Sequence, residues 1–353
     1  MWNTVGHSKA RSSIVRANVL GKVAHAYLIT GIEGIGKSLF AQDVARFVNC
    51  LDSESHRKPC SDCPQCIRIE NYTHTDVFYF AIGNSSKANQ IAYKAISMDV
   101  LRDDFLTRVN RKPFEGRMRV FIFSGVDDLR ADQANILLKT LEEPPQNTMI
   151  LLQANNILNV LSTISSRCQI LELEPIPCHT IEEYLGRIEG EDDESNSGPR
   201  VREIARIARG RIDWARAAFL RPDIMNKRER AFTLIEETVA GDLEDRFVYS
   251  NVISKAYGMS YDIYREEINL WLEWWRDLIM VKIGSLQSVF NLSRLSTFEH
   301  FCKIISLTDM LKVMSAIDKS AHFIRSNVNH RLVFDNLMLK LPSCSNSNAL
   351  GSK

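Results

Sequence analysis

The chain has 353 residues, of which 45% are hydrophobic and 25% charged. That is enough apolar material for two or three packed domains, and no apolar run approaches the ~20 residues that a bilayer-spanning helix needs. The net charge of +1 argues neither for nor against a nucleic-acid partner, because a local basic face can hide inside a neutral total.

The opening MWNTVGHSKARSS lacks the apolar centre of a signal peptide, so a cytoplasmic protein is expected. Residues 13–22 read as a short amphipathic helix, and His25–Thr30 as a buried strand that feeds a glycine loop. Ser38–Val48 is predicted helical. Asp76–Ile82 is strand-like, Asp99–Val109 helical, and Pro113–Gly116 a turn. Val120–Phe123 is a buried strand, Asp132–Leu141 a helix stopped by Pro144-Pro145, and Met149–Gln153 another buried strand. Strands alternating with helices imply a mostly parallel sheet covered on both faces. Gln169–Leu173 is the last strand. Beyond it the apolar periodicity is helical, in 181–188, 201–220, 228–239, 262–283, 296–316 and 317–340. Glu189–Pro199 is acidic and reads as an exposed loop, and 343–353 as a disordered tail.

Three features carry chemistry. The first is Gly31-x4-Gly36-Lys37-Ser38, with Gly34 between the outer glycines. Glycines let backbone N–H groups face phosphate oxygens, and the following helix N-terminus adds partial positive charge. Lys37 would meet the β/γ-phosphates of ATP or ADP, and Ser38 would ligate Mg²⁺. The alternative is an ordinary tight turn between strand and helix.

The second is the cluster Cys50, Cys60, Cys63 and Cys66, four of eight cysteines within 17 residues. Four thiolates suit one structural, tetrahedral Zn²⁺. Reduced free thiols and an iron–sulfur cluster are the competitors. The third is Ser166-Arg167-Cys168 just before the last strand, where an arginine can reach a neighbour's nucleotide. Alone this tripeptide carries no meaning, and a plain surface arginine competes with it.

A hydrolytic phosphate loop also needs an acid at the end of the Val120–Phe123 strand to hold Mg²⁺, and Ser124-Gly125 stand there instead. Asp127 and Asp128 follow, where a solvated turn is the simpler reading. Trp271, Trp274 and Trp275 recur at helical spacing and read as packing.

In order along the chain these motifs resemble the clamp-loader subunits of bacterial DNA polymerase III. The resemblance is carried by Ala24-His25-Ala26-Tyr27-Leu28, the glycine loop, the cysteine insertion and Arg111-Lys112-Pro113-Phe114-Glu115-Gly116. It continues through Leu138-Lys139-Thr140-Leu141-Glu142-Glu143-Pro144-Pro145 and Ser166-Arg167-Cys168. It implies an ATPase-like α/β P-loop module of the AAA+ type (1–173, with the zinc insertion at 50–66), a helical lid (174–220) and an all-α collar (221–342) in a hetero-oligomeric ring. The motor type (gamma/tau) of this family has an Asp-Glu pair where Ser124-Gly125 stand. Its lid arginine falls here on Asp213. Both departures favour the delta prime type, which implies partners of gamma/tau and delta type, a sliding clamp and primed DNA. Arg167 would then act in trans as an arginine finger, with weak or no intrinsic ATPase. The competing expectations are an active ATPase using Asp127 or Asp128, and a stand-alone zinc-dependent nucleic-acid-binding protein.

Overall fold

The apolar runs of the first half pair side by side as strands. These are β1 (Ala26–Thr30), β2 (Val77–Ala81), β3 (Lys94–Ala95), β4 (Arg119–Ser124), β5 (Thr148–Ala154) and β6 (Gln169–Glu172). They form one sheet in the order β3-β2-β4-β5-β1-β6, and every pairing is parallel. This computed structural model describes residues 1–54, 57–82, 94–189, 197–257, 261–325 and 328–343. The chain divides into two compact units, Met1–Arg216 and Ala217–Lys353.

Alternation along each strand fills both faces of the sheet. Tyr27, Ile29, Val120, Ile122, Met149 and Leu151 face one core, shared with helices α1 (Ser8–Val19) and α2 (Lys37–Asn49). The cysteine insertion contains a short helix, α3 (Pro64–Glu70), whose Ile69 joins that core. Leu28, Phe80, Phe121, Phe123, Ile150 and Leu152 face the other core. There they meet a π-helical turn, Val100–Leu106, continued by α4 (Thr107–Val109), then α5 (Ala131–Glu142) and α6 (Ser162–Ser165). The rest of the unit is α7 (Cys178–Glu189), α8 (Ser197–Ala208) and the start of α9 (Ile212–Leu220).

Several boundaries differ from the sequence reading. The first helix is Ser8–Val19, not 13–22, because Gly21 adopts a left-handed φ of 64° that ends it. The predicted helix at 201–220 is two helices, separated by Arg209 (φ 54°) and Gly210 (φ 85°). A Cβ at Gly210 would lie 2.5 Å from Pro175 Cβ, so this break admits only glycine. The acidic loop ends earlier than Pro199, since α8 starts at Ser197, and 190–196 lie outside the described residues. So does the expected tail beyond 343.

The second unit is helical among the described residues. It comprises α10 (Pro222–Ala240), α11 (Leu243–Tyr257), α12 (Tyr261–Lys282), α13 (Leu295–Ile304), α14 (Leu307–Arg325) and α15 (His330–Met338). The two helices expected over 296–340 are therefore three, and α11 was not anticipated. Trp271, Trp274 and Trp275 are each fully buried, with Trp274 edge-on to Phe298 and Phe301. They are core, as their spacing suggested.

Candidate nucleotide and metal sites

The glycine loop joins the C-terminal end of β1 to the N-terminus of α2, and all three predicted glycines use conformations with positive φ. Gly31 has φ 150°, Gly34 78° and Gly36 103°. A Cβ on Gly31 would lie 2.8 Å from the Leu173 carbonyl oxygen, so the loop closes against the strand end beside it only without a side chain. The Lys37 ammonium reaches back over the loop, donating to Gly31 O (2.7 Å), Ile32 O (2.9 Å) and Asn155 Oδ1 (2.8 Å). The Ser38 hydroxyl donates to Gln153 Oε1 at 3.0 Å. Gln153 is buried, and its Nε2 has no hydrogen-bond partner among the described residues. These groups fit a nucleotide's phosphates: a cradle of glycine amides, a mobile-length cation and a hydroxyl at a helix N-terminus.

At the end of β4, where a hydrolytic loop has its acids, stand Ser124 and Gly125. Ser124 is buried, and its carbonyl accepts the Ile82 N–H at 2.8 Å. Gly125 has φ 81°, a left-handed position where a glutamate would be strained. Asp127 sits in the turn that follows, and its Oδ2 accepts the Asn155 N–H at 3.2 Å. Asp127 Oδ1 is buried without a hydrogen bond among the described residues. Lys37, Asn155 and Asp127 thus form a chain of contacts from the glycine loop across β5 to the end of β4. Gln153, Asn155 and Asp127's link to them were missed from sequence, because strand ends far apart in the chain meet only through the sheet order.

The four predicted cysteines converge. All their sulfurs lie within 4.8 Å of one another. A tetrahedral Zn²⁺ with Zn–S bonds near 2.3 Å places its ligands about 3.8 Å apart, so the set fits with small adjustment. Backbone N–H groups already point at three sulfurs: Cys60 N to Cys50 Sγ (3.4 Å), Cys63 N to Cys60 Sγ (3.3 Å) and Cys66 N to Cys63 Sγ (3.5 Å). Burial opposes ionisation at Cys60, but the Cys63 and Asp62 amides outweigh it and bring that thiol down to about 7. Burial pushes Cys50 and Cys66 up instead. The Cys60 thiolate forms readily, whereas those of Cys50 and Cys66 need a cation nearby, as a metal centre supplies.

The insertion is tied to α2 by polar contacts. Gln42 donates to Ile69 O (2.9 Å), and the fully buried Arg46 donates to Ser61 Oγ (2.6 Å) and to Asp43 (2.9 Å). Its other side meets the turn before β4. There Asp76 accepts the N–H groups of Phe114, Glu115 and Gly116 at 2.8–2.9 Å and pairs with Arg119 at 2.9 Å. Gln65 of α3 donates to Glu115 O at 3.0 Å.

Arg167 is exposed. Its guanidinium pairs with Glu142 (2.6 Å) of the Leu141-Glu142-Glu143-Pro144-Pro145 run and donates to Thr163 O (2.9 Å). These partners belong to α5 and α6, not to its own chain's glycine loop. Asp213 lies at the start of α9, and its backbone N–H donates to Gly34 O at 2.8 Å. Asp128 is exposed beside Asp127.

A sequence profile described as "DNA polymerase III, delta subunit" matches residues 6–177. The DNA polymerase III subunit delta' of Bacillus subtilis is 31% identical over 186 residues, covering 52% of this chain and 53% of that protein. The DNA polymerase III subunit tau/gamma of Haemophilus influenzae is 26% identical over 266 residues, covering 75% of this chain and 34% of that protein. The chain therefore spans about a third of the length of one relative and about half of the other. Among solved structures, the Thermotoga maritima RuvB Holliday junction branch migration motor aligns over 65% of this chain and 64% of its own, with TM-score 0.40 and 15% identity.

Proposed function

We propose that this chain, which belongs to the DNA polymerase III clamp-loader family of AAA+ proteins, acts as a delta prime-like stator subunit. In this reading it joins gamma/tau- and delta-type subunits in a cytoplasmic ring that loads a sliding clamp onto primed DNA. Lys37, Ser38 and the glycine amides hold ATP or ADP, with Mg²⁺, as a structural ligand that turns over slowly. Arg167 serves a neighbour's nucleotide in trans, and Zn²⁺ holds the cysteine insertion.

The observation that carries the reading is the end of β4. An intact phosphate loop faces Ser124-Gly125, and the left-handed Gly125 leaves no unstrained place for the second acid. Steady-state ATPase of the isolated chain is the test. Hydrolysis near or above about 1 s⁻¹, the range of phosphoryl-transfer enzymes, overturns it.

One observation favours the rival ATPase reading. Asp127 contacts Asn155, which contacts Lys37, so a carboxylate does border the loop. If it supplies the missing acid, Asp127→Asn abolishes hydrolysis while nucleotide binding persists. In the stator reading the variant changes nothing, because there is no appreciable hydrolysis to lose.

A further inference from the structure

We propose that His7 is a positioning residue for phosphate binding: its ring holds one peptide plane of the glycine loop so that the Gly36 amide faces the bound phosphates. This rests on the reading that the loop holds a nucleotide.

The His7 Nε2 lies 2.9 Å from the Ile35 carbonyl oxygen. A carbonyl only accepts, so Nε2 carries the proton and donates. The first helical bond of α2 runs from the Phe40 N–H to Gly36 O at 2.9 Å. Ile35 O is therefore outside the helix ladder, and His7 supplies its donor. The Ile35–Gly36 bond is trans, the cis bond among the described residues being Lys58–Pro59. In a trans peptide the C=O and N–H point in opposite directions across one rigid plane. Fixing the carbonyl towards His7 fixes the Gly36 N–H away from it. Gly36 has φ 103° and no Cβ, so without such an anchor this plane is among the freest in the loop.

His7 is itself held from several directions. It adopts a left-handed φ of 54°, an uncommon conformation for a residue with a side chain. Just upstream, Thr4 is bound to the buried Asp43 through both its N–H (2.7 Å) and its hydroxyl (2.6 Å). Downstream, the Arg11 N–H donates to His7 O at 3.0 Å. The ring stands edge-on to Phe40, centroids 6.4 Å apart at 86°. Burial lowers the imidazole pKa, which favours the neutral ring, and the Ile35 hydrogen bond only partly opposes this. A backbone strained into place and a ring locked on one loop carbonyl are the marks of a group held for a purpose.

The test compares binding of a fluorescent ADP analogue with Mg²⁺ to wild type, His7→Leu, His7→Gln and Lys37→Ala. Leucine keeps the apolar bulk against Phe40 and loses the donor. Glutamine can place an amide N–H where Nε2 lies. Zinc content and thermal unfolding confirm the fold of each. The expected result is binding about tenfold weaker for His7→Leu, on the scale of one lost buried hydrogen bond, and restored to within about threefold by His7→Gln. If Lys37→Ala loses binding while His7→Leu keeps wild-type affinity, the role of His7 is overturned and the nucleotide reading stands. If His7→Gln is as weak as His7→Leu, the hydrogen-bond account is overturned. If wild type itself binds no nucleotide, the nucleotide reading falls and this inference with it.

Discussion

Asp76→Ala should be among the most damaging single substitutions in the first unit. The carboxylate, fully buried, takes three backbone N–H bonds from Phe114, Glu115 and Gly116 and two from Arg119, whose guanidinium is itself only 7% exposed. Alanine leaves that guanidinium buried without its charge partner, and breaking a buried pair in this way costs about 3–5 kcal/mol. The three amides are nearer the surface and regain water, so they add little. Asp76→Asn keeps the shape and one acceptor, and roughly half the loss is expected. Burial alone would raise the Asp76 pKa, but the Gly116, Phe114 and Glu115 amides and Arg119 outweigh it and hold it below the ordinary 3.8. A depressed carboxylate stabilises the fold above its unfolded pKa, and that stability is lost as pH falls through the folded value. The gap between wild type and Asp76→Asn should thus be full at pH 5–7 and narrow below pH 4. Native-state hydrogen exchange of peptides from β2 and β4, repeated across pH, measures it. A loss under 1 kcal/mol for Asp76→Ala at pH 7, or a gap that does not close in acid, refutes the reasoning.

Purified protein should contain near-equimolar zinc, and replacing Cys63 and Cys66 together with serine should abolish it; elemental analysis decides, and retained zinc rejects the assignment. Gly31→Ala should lower stability by about 1–3 kcal/mol and weaken nucleotide binding, since its Cβ would sit 2.8 Å from a backbone oxygen; calorimetric melting and nucleotide titration check both. Arg167→Ala breaks an exposed ion pair with Glu142 and an exposed hydrogen bond to Thr163 O, so stability should change by less than about 1 kcal/mol and zinc content should be unchanged. The same variant should slow the DNA- and clamp-stimulated ATPase of a reconstituted ring, and an unchanged rate leaves Arg167 a surface residue.

What could be read from the sequence was what the backbone encodes locally. Runs such as Val120–Phe123 and Met149–Gln153 are buried on both sides of a parallel sheet, so they stand out without alternation. The glycine spacing of the loop specifies its own conformation, and the cysteine spacing its own convergence. The failures have equally local causes. Helix α11 escaped notice because it has no single apolar stripe: Arg246 and Ser250 are buried, while Leu243, Phe247, Val248 and Val252 are exposed. Helix α3 is only seven residues long and carries Cys66 of the cysteine cluster in its first turn. The start of α1 carries no side-chain cap, because His7 is turned to the glycine loop instead. The side-chain partners of Lys37 and Ser38, Asn155 and Gln153, come from the C-terminal end of β5 and the residue after it, more than a hundred residues away and brought beside β1 only by the strand order.

Helix α2 is buried along its whole length from Phe40 to Asn49, yet one side of it is polar: Gln42, Asp43, Arg46 and Asn49. An oily side would accept any cover that fitted its volume. A polar side that is sealed from water accepts only a cover whose donors and acceptors match, within a few tenths of an ångström. The cysteine insertion, the opening segment and the turn before β4 are that cover, and each contributes a match: Ile69 and Ser61 from the first, Thr4 from the second, Met118 from the third. The helix therefore works as a key cut on one side. It seats the cysteine insertion at one end and begins at Lys37 at the other, so a chain that lost the insertion would expose Gln42 and Arg46 while Thr4 and Met118 still covered Asp43 and Asn49.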